Sequence, residues 1–265
     1  MEIRKLNMLR GIAALMVMIS HYSNATNLLH GALGHGGGQF GVMLFFILSG
    51  FLMSYLYMDR GFDKADIMSF WIARAARVLP LFGIIVVLSY FLHISGIDGI
   101  FYNINDLSSL ISNLLLLSGA DVLWTIPVEV QFYVLFVFLW WLHHRRTGYL
   151  YTFIILVIFI RFVFLDIPDP KWRVFDLKVD TKLIIALPYF LIGVVFGQIY
   201  SKWEPPDYLR KDIFILMLLI LPLMYPKIFH FLTGRSHILG HSHFIGQNYK
   251  MWGDVGVFFL ISFIY

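Results

Sequence analysis

The sequence predicts an all-α fold, a polytopic transmembrane helical bundle of about eight spans or part-spans, and three observations lead there. Of the 265 residues, 59% are hydrophobic and only 14% charged, a balance typical of membrane proteins. Several separate apolar runs approach the roughly 20 residues that a helix needs to cross a bilayer. The charges inside those runs are few and isolated, as expected where each one is costly. One integral-membrane domain over residues 1–265 is the default, because helices satisfy their own backbone hydrogen bonds in lipid.

Composition also removes function classes. The formal charge of +4 is spread over loops and forms no clustered, aromatic-interleaved basic patch, which excludes a nucleic-acid partner. There are no cysteines, so disulfides, thiolate metal sites and a thioester relay through cysteine are ruled out together. Arg4 and Lys5 precede an apolar run, as in a signal peptide. No small-residue cleavage site follows, and the run carries Arg10 and His21, so it is read as a retained first span.

That first span covers 7–23. Arg10 and His21 lie eleven positions apart, which on one helix places them on nearly the same face, about 16 Å apart along the axis. A glycine-rich turn, Gly34 to Gly38, leads to a second span at 39–58. The stretch 61–78 mixes Asp63, Lys64, Asp66, Arg74 and Arg77 with Phe62, Met68, Phe70 and Trp71, which suggests an interfacial helix. Pro80 then opens a third span, 80–95, since proline suits a first helical turn. The apolar segment 107–119 is too short to cross alone and reads as a half-membrane or re-entrant piece, provided protein covers its backbone. Spans at 127–142, 149–165, 183–201 and 212–232 follow, with Pro188 and Pro222 as expected kinks. A last run, 252–265, has fourteen residues and no polar stop, and the chain is expected to be incomplete at its C-terminus.

Orientation follows from lysine and arginine. With the N-terminus inside, the inner segments hold Arg4, Lys5, Arg60, Lys64, Arg74, Arg77, Arg145, Arg146, Lys202, Arg210 and Lys211, eleven in all. The outer ones hold Lys171, Arg173, Lys178, Lys182, Arg235 and Lys250, six in all, which favours an inner N-terminus.

Four stretches, in order, resemble acyltransferase family 3, integral-membrane enzymes that include bacterial O-acetyltransferases of surface polysaccharides. They are Arg10 with ten residues before His21, Phe46-Ile47-Leu48-Ser49-Gly50-Phe51, Arg74-Ala75-Ala76-Arg77 followed by Pro80, and Trp124-Thr125-Ile126-Pro127-Val128-Glu129 followed by Gln131-Phe132-Tyr133. Thr125-Ile126 stand where the family usually reads Ser-Leu, and Pro127 where a small residue is usual. The resemblance implies an enzyme of the bacterial inner (plasma) membrane, multi-pass with a cytoplasmic N-terminus. It would move an acyl group, most often acetyl, from cytoplasmic acyl-CoA to a hydroxyl of an extracytoplasmic carbohydrate. Membrane lipid and a carbohydrate or glycolipid acceptor are the implied partners.

On that reading His21 is the general base, because imidazole titrates near working pH, and a packed histidine donating to a carbonyl is the plain alternative. Arg10 holds donor phosphates or snorkels to headgroups. Arg74 and Arg77 share a helical face and clamp the CoA diphosphate, or serve topology and anionic lipid. Glu129 orients His21 or receives acceptor hydroxyls, or it pairs with a structural arginine. Trp124 and Tyr133 stack on sugar, or are interfacial aromatics. Ser49 beside Gly50 reads as a small-residue helix contact rather than a nucleophile. Arg161 pairs with Asp166 or faces the acceptor. No metal site is expected: His237, His241 and His243 have ligand-like spacing but no carboxylate before Asp254. Two other classes stay open, a proton-coupled carrier built on intramembrane Arg, His and Glu, and an inactive truncated family member.

Overall fold

The computed structural model describes residues 4–34, 37–97, 102–163, 172–174, 177–180, 182–202 and 226–234. The apolar stretches are helices: α1 (Arg4–Thr26), α2 (Gly37–Tyr57), α3 (Lys64–Ile94), α4 (Leu107–Leu114), α5 (Thr125–Arg145), α6 (Thr147–Val163), α7 (Lys182–Lys202) and α8 (Pro226–Thr233). Among the described residues, four helical segments are long and apolar enough to cross a membrane: Gly37–Tyr57, Lys64–Ile94, Asp121–Arg145 and Lys182–Lys202. The segment 252–265, most of 212–232, the histidines at 237, 241 and 243, and Asp166 lie outside the described residues.

One expectation is corrected. The interfacial helix at 61–78 and the span at 80–95 are a single helix, α3, with Pro80 inside it. Asp63 starts it by accepting the Asp66 N–H at 2.8 Å. Its 31 residues make a rod of about 46 Å, longer than the roughly 30 Å hydrocarbon core, so one helix holds both the charged entry and the crossing. Proline costs such a rod one backbone bond, which a transmembrane helix tolerates. The fold is all-α as expected, with one short hairpin outside the helices in which β1 (Trp172–Val174) and β2 (Leu177–Val179) pair antiparallel, Arg173 opposite Lys178.

The chain forms two compact units. Unit 1 comprises Met1–Tyr55, Ile158–Leu165 and Pro188–Tyr265; unit 2 comprises Leu56–Val157 and Asp166–Leu187. In unit 1, α1 buries Leu6, Leu9, Ala13 and Met16. The Gly41 backbone of α2 lies against the Ala13 carbonyl. On its other side α2 meets α7 at Gly50 and Gly193, where any Cβ would collide with the carbonyl oxygens of Phe190 and Ile47 respectively. Two backbones approach this closely only where side chains are absent. Ser54 Oγ donates to the Val194 carbonyl at 2.8 Å, and Phe46 stacks on Phe190 at 4.6 Å between centroids.

Unit 2 is built on rings. Phe70 of α3 stacks on Phe136 of α5 at 5.5 Å, and Tyr57, Phe62 and Trp140 close the cluster by edge contacts. At the end where α5 begins, a cap packs on α3, with Ile104 and Leu123 against Phe82 and Val86. Its α4 has eight residues, about 12 Å, which is too short to cross. The chain then turns back, and its backbone groups find partners. Asp180 N–H donates to the Leu117 carbonyl at 2.8 Å, Gln131 Nε2 to the Leu116 carbonyl at 3.1 Å, and Ala120 N–H to Asn113 Oδ1 at 3.0 Å. The Asp180 backbone and the Gln131 and Asn113 side chains thus give backbone groups of this segment protein partners.

Candidate functional site

Two groups of chemistry-bearing side chains stand on the helices, one in each unit. In unit 1, α1 is unbroken from Arg4 to Thr26, so the helical phase inferred for Arg10 and His21 holds along one rod. Its buried stripe runs Leu9, Ala13, Met16, Ser20 and Ser23. Arg10 and His21 lie together on the flank of that stripe, with Asn7 and Ala14 near the same line. Arg10 is half-buried and His21 is exposed. Beyond His21 the helix closes with Ser23 Oγ donating to the Leu28 carbonyl at 3.0 Å. Asn27, Leu29 and His30 then take left-handed backbone angles, a strained turn for side-chain-bearing residues.

In unit 2, α3 and α5 bring Arg74, Tyr133 and Glu129 together. The Tyr133 hydroxyl donates to Glu129 Oε1 at 2.7 Å, an i to i+4 pair on α5. Arg74 is 7% exposed, and its guanidinium carbon lies 5.6 Å from the Tyr57 ring centre, 5.8 Å from Phe70 and 5.9 Å from Tyr133. Each such contact contributes roughly 0.5 to 2 kcal/mol, more as water is excluded. No hydrogen-bond acceptor among the described residues meets the Arg74 Nε, and three ring faces lie against its guanidinium. Arg77, one turn further along α3, is exposed.

This geometry changes two assignments. A clamp in which Arg74 and Arg77 open side by side is not what α3 presents, because three rings cover Arg74 whereas Arg77 is exposed. Tyr133 is 1% exposed, with Phe70 at 6.1 Å and Arg74 against its ring, so it has no open face for a sugar to stack on. Trp124 keeps partial exposure on the turn that enters α5, with Lys182 Nζ 5.3 Å from its ring centre. Arg161 is buried in unit 1. Among the described residues, no group of three or more His, Cys, Asp or Glu side chains is placed to hold a metal ion.

Sequence reasoning missed the walls of the Arg74 cage. Phe70 stands at i−4 from Arg74 on α3, a spacing that could have flagged it, whereas nothing in the sequence links Tyr57 to either. It also passed over Gly193 and Gly197 on α7, although that spacing of small residues marks a close helix contact.

A family described as an acyltransferase domain matches residues 3–265 of this chain. The chain is similar to the O-acetyltransferase OatA of Staphylococcus aureus (strain NCTC 8325 / PS 47), at 29% identity over a 281-residue alignment covering 96% of this chain and 42% of that protein. Proteins of the same name from strains COL and MRSA252 match to the same extent. The chain therefore spans about two fifths of the length of these curated relatives. No solved structure matches it.

Proposed function

Because the chain belongs to the acyltransferase family that its residues 3–265 match, we propose that it is an integral-membrane O-acyltransferase. It moves an acyl group, most simply acetyl, from acyl-CoA at the cytoplasmic face of a bacterial inner membrane to a hydroxyl of an extracytoplasmic carbohydrate. The observation that carries this reading, beside the family, is α1 itself: an unbroken helix with a cation and an imidazole on one flank, eleven residues apart.

In this mechanism Arg10, on the same helix as the base, holds the donor's phosphates by charge-assisted hydrogen bonds. His21 takes the proton from the acceptor hydroxyl as its oxygen attacks the thioester carbonyl. The tetrahedral intermediate collapses with the C–S bond breaking, and the imidazolium returns the proton to the leaving thiolate. Glu129 orders the acceptor hydroxyls, and Trp124, half-buried at the entry to α5, stacks on a sugar face. The N-terminus is cytoplasmic. Eleven basic residues on the inner side against six on the outer support that orientation.

His21→Ala is the test. Cells carrying the variant should lose the one-acyl mass increment on their surface glycans, with transfer by the purified protein falling about 100-fold or more. Folded protein should persist, since the imidazole is exposed. Unchanged transfer removes His21 as base. Absence of acetyl-CoA hydrolysis by the unaltered protein favours a carrier or an inactive relative instead.

A further inference from the structure

The two arginines of the Arg74-Ala75-Ala76-Arg77 stretch sit in opposite environments although they share a helical face. A side chain that binds a soluble anion has to present its N–H fork to an open site. Arg77 does so; Arg74 is enclosed by Tyr57, Phe70 and Tyr133. Of those rings, Tyr133 is the one whose hydroxyl holds the Glu129 carboxylate. Resting on the acyl-transfer reading above, we propose that Arg74 is a positioning residue acting on Glu129 through Tyr133, and that Arg77 alone of the pair meets the anionic part of the donor.

The physical chain has three links. A cation against the face of a phenol draws electron density from the ring and polarises its O–H. A more polarised O–H is a stronger donor to the carboxylate, and in a dry interior such coupled bonds reinforce one another. Tyr133 is itself fixed between Phe70 and Arg74, so the carboxylate it holds is fixed in turn. The sequence motif alone suggests one clamp with two arms, whereas the fold divides it into an inner arm that orders a carboxylate and an outer arm that is free to bind.

The test uses the full chain in detergent with acetyl-CoA as donor. Arg77→Gln should raise KM for acetyl-CoA about tenfold and leave kcat within about twofold. Arg74→Lys, which keeps the charge but loses the planar fork, and Tyr133→Phe should each lower kcat about tenfold with KM little changed. Because the two act as one unit, the Arg74→Lys, Tyr133→Phe double variant should be no slower than the slower single one. An independent readout is the infrared carboxylate stretch of Glu129, identified by its loss in Glu129→Gln. It should move in Arg74→Lys and Tyr133→Phe, and by less in Arg77→Gln, whose charge acts on Tyr133 more weakly than that of Arg74. If Arg74→Lys does not fold, Phe70→Leu opens one wall of the cage and should move the same band. A band indifferent to both Arg74→Lys and Phe70→Leu overturns the proposal, as does a KM rise in Arg74→Lys equal to that in Arg77→Gln. The band is read without turnover, so protein that fails to process acetyl-CoA refutes the acyl-transfer reading and still leaves the positioning role decided.

Discussion

In unit 1 the contact of α2 with α7 is made by leaving side chains out: Gly50 and Gly193 let each helix lie on a carbonyl of the other. In unit 2 the contact of α3 with α5 is made by filling the space with Phe70, Phe136, Trp140 and Tyr133, around one buried guanidinium. Lipid tails are as apolar as leucine, so burial alone does little to bring helices together in a membrane. The first unit uses backbone proximity and dispersion instead; the second uses ring packing and a desolvated cation. One consequence is that a glycine is the sensitive position in the first and an aromatic ring in the second.

The largest effect that could break this contrast is at Gly50. Gly50→Leu places a branched side chain against the Phe190 carbonyl and should eliminate folded, monodisperse protein in detergent; a normal elution profile and melting curve would show that α2 and α7 do not depend on close approach. Gly193→Ala adds only a methyl group and should cost about 1 to 3 kcal/mol by denaturant titration. Gly83→Ala on α3, where a Cβ meets nothing within 4 Å, should change stability by less than about 0.5 kcal/mol. Equal costs at Gly193 and Gly83 would erase the distinction between the units.

The cap of unit 2 sharpens the comparison further. Asp180 is 8% exposed, accepts the Gly119 N–H at 3.3 Å and pairs with Lys182 at 3.5 Å. Asp180→Ala should cost about 1 to 3 kcal/mol by leaving a buried donor unmatched, with a local change in Trp124 fluorescence, while Asp180→Asn retains an acceptor and should cost less. Ser54→Ala in unit 1 is expected to have a smaller effect than Asp180→Ala. It removes a bond to the Val194 carbonyl worth about 0.6 kcal/mol in a membrane bundle, and a cost several times larger would mean that hydrogen bonding, rather than close approach, holds α2 to α7.

Much of the architecture was legible from hydropathy. The apolar runs at 39–58, 127–142 and 183–201 correspond to α2, α5 and α7, and 107–119 was already too short to cross. The interfacial reading of 61–78 failed because charge pattern and proline were taken as a boundary, when a long helix can carry a charged entry and a crossing on one axis. The hairpin at 172–179 carries no periodic signal long enough to detect, since each strand has three residues. Among the proposed site residues, Arg10 and His21 are marked by being ionisable within an apolar run, and Arg74, Arg77 and Glu129 by the motifs of the resembling family. Their environments are not.

What the sequence by itself determined is therefore the set of helices and the identity of the charges placed within them, because the cost of a charge or an open backbone group in lipid is local and can be counted residue by residue. Only the tertiary structure decided that Arg74 is enclosed and Arg77 is open, that Tyr133 holds Glu129 rather than presenting a free ring, and that glycine carries one helix contact while aromatic rings carry the other. Those outcomes depend on which side chains meet across distances of tens of residues in the chain, as Tyr57 and Tyr133 do around Arg74, and no periodicity within a single helix encodes such a meeting.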